Sequence, residues 1–204
     1  AEAIPILEES GLIIPVGKWI IQNAFSMCTE CRKYYPEFRV SINLSYVQIL
    51  KSPLMMELKQ MIEHSGISCS GIIVELTESG YLEGTPAVRS VWNDMKQLRI
   101  QIALDDFGTG YSNLMNISNL EPDIVKLDRG FTLKALSRSY EYQLMQYVIE
   151  MVHKLNQYVC VEGVETKEDL EKIKALGPDL IQGYYYSKPC SRDEFLKKFF
   201  GYSE

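Results

Sequence analysis

The sequence predicts an α/β fold of the (β/α)8, TIM-barrel-like type, and three observations carry that expectation. Six short aliphatic and β-branched runs punctuate the 204 residues. Helical patterns, with apolar residues at three- and four-residue spacing, lie between them. Each run ends in or beside a polar residue that a buried strand would not choose. In parallel α/β folds the functional groups gather at the carboxyl ends of the strands. Strand then helix, repeated along a chain, means a parallel sheet. A closed barrel of this type needs eight strands, two more than are visible. Either the sheet is open, or the first two strands lie outside these residues, and the second is the expectation. Residues 1–204 are accordingly read as a single, N-terminally incomplete domain.

The strand-like runs are 38–44, 71–76, 100–105, 123–127, 158–161 and 180–183. Their polar ends are, in order, Asn43, Glu75, Asp105 with Asp106, Lys126, Glu162 and Gln182. A long amphipathic segment, 12–35, precedes the first run. Val88, Val91, Trp92, Met95 and Leu98 form one apolar helix stripe. Leu144, Val148, Met151, Val152 and Leu155 form another. Thr166 and Ser191 stand where N-caps should, with Asp169 and Glu194 three residues later. Gly177-Pro178 stops a helix just before the last run.

The densest chemistry lies in IALDDFGTGYSNL, 102–114. Its apolar run ends in the adjacent carboxylates Asp105 and Asp106, followed at once by a Gly-Thr-Gly turn. Two anions at the end of a buried strand are costly to desolvate unless a cation sits between them. Gly108 and Gly110 let the backbone fold tightly over that point. An acidic strand end under a flexible cover is the design of a metal site with a lid.

Composition sets limits. A hydrophobic content of 46% over this length supports one sizeable core. No run reaches the ~18–20 apolar residues of a membrane span, and no secretory apolar region opens the chain. The net charge of −6 and the lack of a Lys/Arg cluster argue against a DNA or RNA duplex as partner. An acidic balance does not exclude an anionic ligand, because divalent cations at an acidic mouth reverse the local sign. The five cysteines make no disulfide framework; Cys28 and Cys31 form a CxxC within a helical segment and read as helix thiols. A reducing compartment, most simply the cytoplasm, follows. The two histidines, His64 and His153, fall in helix patterns away from the strand ends. The candidate ligands are therefore carboxylates and an amide oxygen, which suit Mg²⁺ or Mn²⁺ rather than zinc or copper.

These residues also carry a resemblance. SINLS (41–45), ELTES (75–79), ALDDFGTGYSNL (103–114), DIVKLDRGF (123–131), VEGVET (161–166) and QGYYYSKP (182–189) together resemble the EAL-domain family. These are bacterial phosphodiesterases that cleave cyclic di-GMP to linear pGpG. The opening ILEESGLIIPVGKWII is similar to the family's first helices. The resemblance is collinear over essentially the whole chain. One departure stands out: the Glu-Ala-Leu motif that names the family is absent from these residues, and its glutamate is a metal ligand. Its absence agrees with counting six strands instead of eight.

The resemblance implies two metal ions and a role for each strand end. Asn43, Glu75 and Asp105 would hold the first ion with the absent glutamate. Asp105 would bridge to a second ion held also by Asp106 and Glu162. Lys126 would orient and polarise the attacking water, or stabilise charge on phosphate. Gln182 and Glu165 would line the pocket, with Tyr184 available to a guanine face. Glu78 would secure the loop that follows Asp106. The implied partner is the cyclic dinucleotide, with no membrane contact by this domain, although the parent protein could be membrane-anchored. A homodimer, and an N-terminal sensor or GGDEF domain in the parent protein, are left open.

Each role has a plainer rival. Asp106 has a lesser reading as an Asx-turn residue, and Lys126 as a solvated strand-end charge. Asn43 competes with Ser45 as a helix cap. Glu78 and Glu165 also suit helix N-terminal or surface carboxylates, and Tyr184 core packing. Three functions fit: a metal-dependent phosphodiesterase, a catalytically inactive cyclic di-GMP receptor or regulatory module, and an unrelated Mg²⁺-dependent enzyme acting on carbon acids. The first ranks highest, because every visible ligand position is filled.

Overall fold

A computed structural model describes residues 3–77, 85–108 and 121–201. In chain order its elements begin with α1 (Ala3–Ser10), α2 (Ile13–Cys31), β1 (Val40–Asn43), α3 (Tyr46–Lys51) and α4 (Leu54–Ser65). A 3-10 turn at Cys69–Gly71 leads into β2 (Ile72–Thr77), followed by α5 (Pro86–Gln97) and β3 (Gln101–Phe107). Then come β4 (Ile124–Leu127), α6 (Arg129–Ser137), α7 (Ser139–Lys154) and β5 (Tyr158–Val161). The chain continues through α8 (Lys167–Lys174), β6 (Leu180–Ile181) and α9 (Arg192–Phe200). Every run expected to be a strand is one. The chain divides into two compact units, Ala1–Ile102 with Arg192–Glu204, and Ala103–Ser191.

In the first unit β1 and β2 pair in parallel, from Val40 opposite Ile72 to Asn43 opposite Glu75. Side chains alternate across a strand, so Ile42, Leu44, Ile72 and Val74 share one face. They meet Ile21 of α2, Leu54 and Leu58 of α4 and Met95 of α5, all buried. Burying each such side chain contributes roughly 1.5–3 kcal/mol. The other face carries Ser41, Asn43 and Glu75. Ser45, not Asn43, caps α3: its hydroxyl accepts from the Val47 amide, and Gln48 closes a capping box. In α5 the buried residues are Val88, Trp92 and Met95, within the expected stripe. Tyr34 stacks on Phe200 of α9, with ring centroids 5.3 Å apart.

Cys28 and Cys31 are fully buried on α2, the helix-thiol reading. Burial pushes the Cys31 thiol up to about 11, with the neighbouring Cys28 and Glu30 adding to the effect. Cys28 is also raised by burial. Two outcomes follow. A thiol-directed reagent at pH 8 should modify exposed Cys190 rapidly and leave Cys28 and Cys31 unmodified until the chain unfolds. Above pH 9 the unfolded thiol releases a proton that the folded Cys31 retains, so stability should fall as pH rises from 9.0 to about 11. Rapid labelling of both thiols in folded protein, read by mass spectrometry, would contradict this burial.

In the second unit β3 to β6 run parallel in sequence order. Leu104, Val125, Leu127, Val159 and Val161 are inaccessible to solvent at 0% exposure. Buried Phe131 and Ala135 on α6 and Met145, Ile149 and Val152 on α7 supply the matching apolar layer. The α7 stripe differs from expectation, because Leu144 and Leu155 are exposed. A shift of one residue rotates a helix face by about 100°, and Met145 with Ile149 offers the same spacing. Packing selects that set. The α8 cap is the expected one, with Thr166 and Asp169 forming a capping box. Ser191 stands immediately before α9. Among the described residues no helix is long and apolar enough to cross a membrane.

Candidate active site

The site of the second unit is built where β3, β4 and β5 end. Ala103 and Leu104 pair in regular register with Ile124 and Val125, whereas Phe107 pairs with Leu127. Asp105 and Asp106 therefore share the space opposite a single residue, Lys126. This is a bulge, in which two residues on one strand face one on its neighbour. Asp106 takes φ 59°, the left-handed region that Asp tolerates better than most residues. The strand resumes with Phe107, whose carbonyl accepts from the Asp128 amide at 3.1 Å. The two adjacent carboxylates thus sit on a bulge within β3, and the strand runs two residues past Asp105.

Lys126 is the centre. It is only 4% exposed, which removes its reading as a solvated charge. Its Nζ lies 3.0 Å from Asp105 Oδ1 and 2.7 Å from Glu162 Oε1. Register explains the convergence: Lys126 pairs with Cys160, so Glu162, two residues on, returns to the same face. The Glu162 amide donates to the Leu127 carbonyl at 3.1 Å, fixing where β5 gives way to its loop. Gln182 follows β6 by one residue; its amide donates to Val161, and its carbonyl accepts from Val164. Its side chain is exposed.

The donor set suits a hard cation. Two carboxylates, Asp105 and Glu162, face one ammonium, Asp106 stands exposed beside them on the bulge, and every donor is oxygen. Among the described residues, buried Asp105 Oδ1 has no polar partner besides its ion-pair contact with Lys126. Such an atom is costly unless something further satisfies it. Among the described residues no three acidic, histidine or cysteine side chains meet at one point. Asp105 and Glu162 are instead drawn to the ammonium between them.

On the rim Glu165 is half-exposed and accepts from Arg129 Nε at 3.2 Å and Nη2 at 2.7 Å. That hydrogen bond, with the carboxylate charge, raises the Arg129 guanidinium above its ordinary value. Glu165 is thus an exposed carboxylate paired with Arg129, one residue before Thr166, the cap of α8. Tyr184 is 55% exposed, with Lys188 Nζ 5.8 Å from its ring centroid, so core packing does not describe it. Arg129 was not singled out in the sequence. The signal for it is spacing: it stands three residues after Lys126, as Glu165 stands three after Glu162.

In the first unit Asn43 is exposed at the end of β1, directly across from buried Glu75. The Ser41 hydroxyl donates to Glu75 Oε1. Glu78 and most of the loop it was expected to secure lie outside the described residues.

The family model described as EAL domain matches residues 1–189. Among similar curated proteins, the cyclic di-GMP phosphodiesterase PdeF of Escherichia coli K12 is 31% identical over 186 residues, 91% of this chain and 25% of the relative. The cyclic di-GMP phosphodiesterase PdeR of the same organism is 33% identical over 186 residues, 91% of this chain and 28% of the relative. The chain therefore spans about a quarter of the length of these curated relatives. Among solved structures, the EAL enzyme Bd1971 with cAMP and cyclic di-GMP bound superposes with a TM-score of 0.90 at 30% identity, covering 96% of this chain and 54% of that one.

Proposed function

This chain belongs to the EAL-domain family, and on that premise we propose that it carries a metal-dependent phosphodiesterase hydrolysing cyclic di-GMP to linear pGpG. One observation carries the reading: buried Lys126 is held between Asp105 and Glu162 at the ends of parallel strands. Buried charge of this density is costly as mere scaffolding. The names of PdeF and PdeR and the ligand of Bd1971 support the substrate class.

Asp105, Asp106 and Glu162 are proposed to hold divalent cations, Mg²⁺ or Mn²⁺. Asn43 and Glu75 offer donors of the same oxygen type in the first unit. Two such ions, when bound, activate water and stabilise the charge of an in-line phosphoryl displacement. The chain's own residues do the rest. The bulge aims two neighbouring carboxylates from one rigid strand. Lys126 Nζ, shielded from solvent, has protons to donate to a water or a phosphate oxygen at the same point. Low exposure strengthens that interaction. Gln182 and Glu165 line the mouth, and Tyr184 presents an exposed ring to a base.

The test uses the full-length protein that contains this chain, incubated with cyclic di-GMP and Mn²⁺ or Mg²⁺. Linear pGpG should accumulate, and excess EDTA should stop it. Ca²⁺ should permit binding with poor turnover, since its longer and looser coordination misplaces the nucleophile. Hydrolysis unchanged by EDTA would refute the metal-dependent reading. Binding without pGpG in the presence of Mn²⁺ would leave a receptor.

A further inference from the structure

We propose that Arg129 is a positioning residue for this reaction, holding the loop 162–166 so that Glu162 keeps its carboxylate at Lys126. The inference rests on the phosphodiesterase reading of the same site. The ends of β4 and β5 are tied twice, three residues apart: by Lys126 with Glu162 inside, and by Arg129 with Glu165 at the rim. The outer tie is an exposed ion pair set beside a close backbone approach. Both Arg129 donors fall on one oxygen, Oε1, of Glu165. Gly163 has φ +80°, and a Cβ there would lie 2.4 Å from Arg129 Cγ and 3.1 Å from its Cα. The loop thus rests directly on the stem and backbone of Arg129, at a spot only glycine fits.

The far side of the loop is fixed as well. The Val164 amide donates to the Gln182 carbonyl, and its carbonyl accepts from Tyr185. A Cβ at Gly183 would lie 2.0 Å from that carbonyl oxygen. The segment between Glu162 and Glu165 is therefore clamped by the β6 loop on one side and by Arg129 on the other. Arg129 is the clamp that a single side chain supplies. Its side chain is 56% exposed, so its removal should leave the fold intact. The effect belongs to alignment: groups that orient a metal-binding or catalytic side chain typically change affinity or activity by about 10- to 100-fold when removed.

The experiment compares wild type, Arg129→Ala, Arg129→Lys, Glu165→Ala and the double alanine variant in the full chain. Arg138→Ala, which breaks the exposed Arg138–Glu141 pair, serves as control. For Arg129→Ala we expect kcat to fall about 10- to 100-fold, with KM for cyclic di-GMP nearly unchanged. Arg129→Lys should recover part of the loss. The double variant should be no worse than Glu165→Ala, because the two side chains act as one unit. Hydrogen exchange at the amides of 163–166 should quicken in Arg129→Ala and stay slow in the control. Wild-type kcat in Arg129→Ala, unchanged exchange in that loop, or losses that multiply in the double variant would each overturn the proposal. A wild-type chain that yields no pGpG overturns the phosphodiesterase reading instead. Quickened loop exchange in Arg129→Ala would then still support the clamp.

Discussion

Lys126→Met should destabilise the folded chain by about 3–5 kcal/mol and lower hydrolysis by about 10²–10³-fold. The stability loss comes from what stays behind. Asp105 and Glu162 have side chains only 13% and 18% exposed, and the ammonium is their shared counter-charge. Methionine fills much of the lysine volume, so the loss is electrostatic and not a cavity. Two carboxylates held together without a cation repel each other where water cannot screen them. The rate loss has a separate origin, the missing donor at the reacting centre. Mn²⁺ binds the folded state and so adds stability by mass action. Its addition should raise the melting temperature of Lys126→Met. Denaturation in urea, with and without Mn²⁺, measures the first effect, and pGpG formation the second. A variant as stable as wild type without metal would show that Lys126 does not balance these carboxylates.

Such an effect is foreseeable from sequence because the strand ends were legible there. Each polar residue that closed an apolar run marks a place where the backbone leaves the sheet. β5, expected at 158–161, occupies Tyr158–Val161. Lys126 between Val125 and Leu127 could be recognised as a charge inside an apolar strand. What periodicity could not supply were choices between equivalent patterns. Asn43 and Ser45 both suit a cap, and only the backbone of α3 selects Ser45. Leu144 and Met145 begin equally good stripes on α7, and only the layer beneath it selects Met145.

The bulge is an intermediate case. Adjacent aspartates closing an apolar run mark the place, but the continuation to Phe107 depends on pairing with Leu127. The Arg129–Glu165 pair was out of reach for a different reason. Its partners are 36 positions apart, and they become neighbours only once β4 and β5 are known to be adjacent. Local chemistry announces which residues are unusual. Strand order decides which of them meet.

Asp105→Asn should abolish measurable hydrolysis, a loss of at least about 10³-fold, while the fold survives. The substitution keeps shape and removes one negative charge from a buried group whose Oδ1 lies 3.0 Å from Lys126 Nζ. Each anionic ligand compensates a cation for the water it gives up, so affinity for Mn²⁺ should fall in step. Stability should drop only modestly, by about 1.5–3 kcal/mol, the scale of one hydrogen bond to a charged group. Asp106→Asn makes the matched comparison. Asn accepts the left-handed φ of 59° that the bulge demands, so the backbone is undisturbed there too. Any loss then reports the carboxylate itself. Asp105, buried beside Lys126, should be the more damaging of the two. Calorimetric Mn²⁺ titration and chromatographic detection of pGpG, run on both variants, separate ligand loss from rate loss. If Asp105→Asn binds Mn²⁺ as wild type does and still makes pGpG at the wild-type rate, Asp105 holds no metal and the proposed chemistry lies elsewhere.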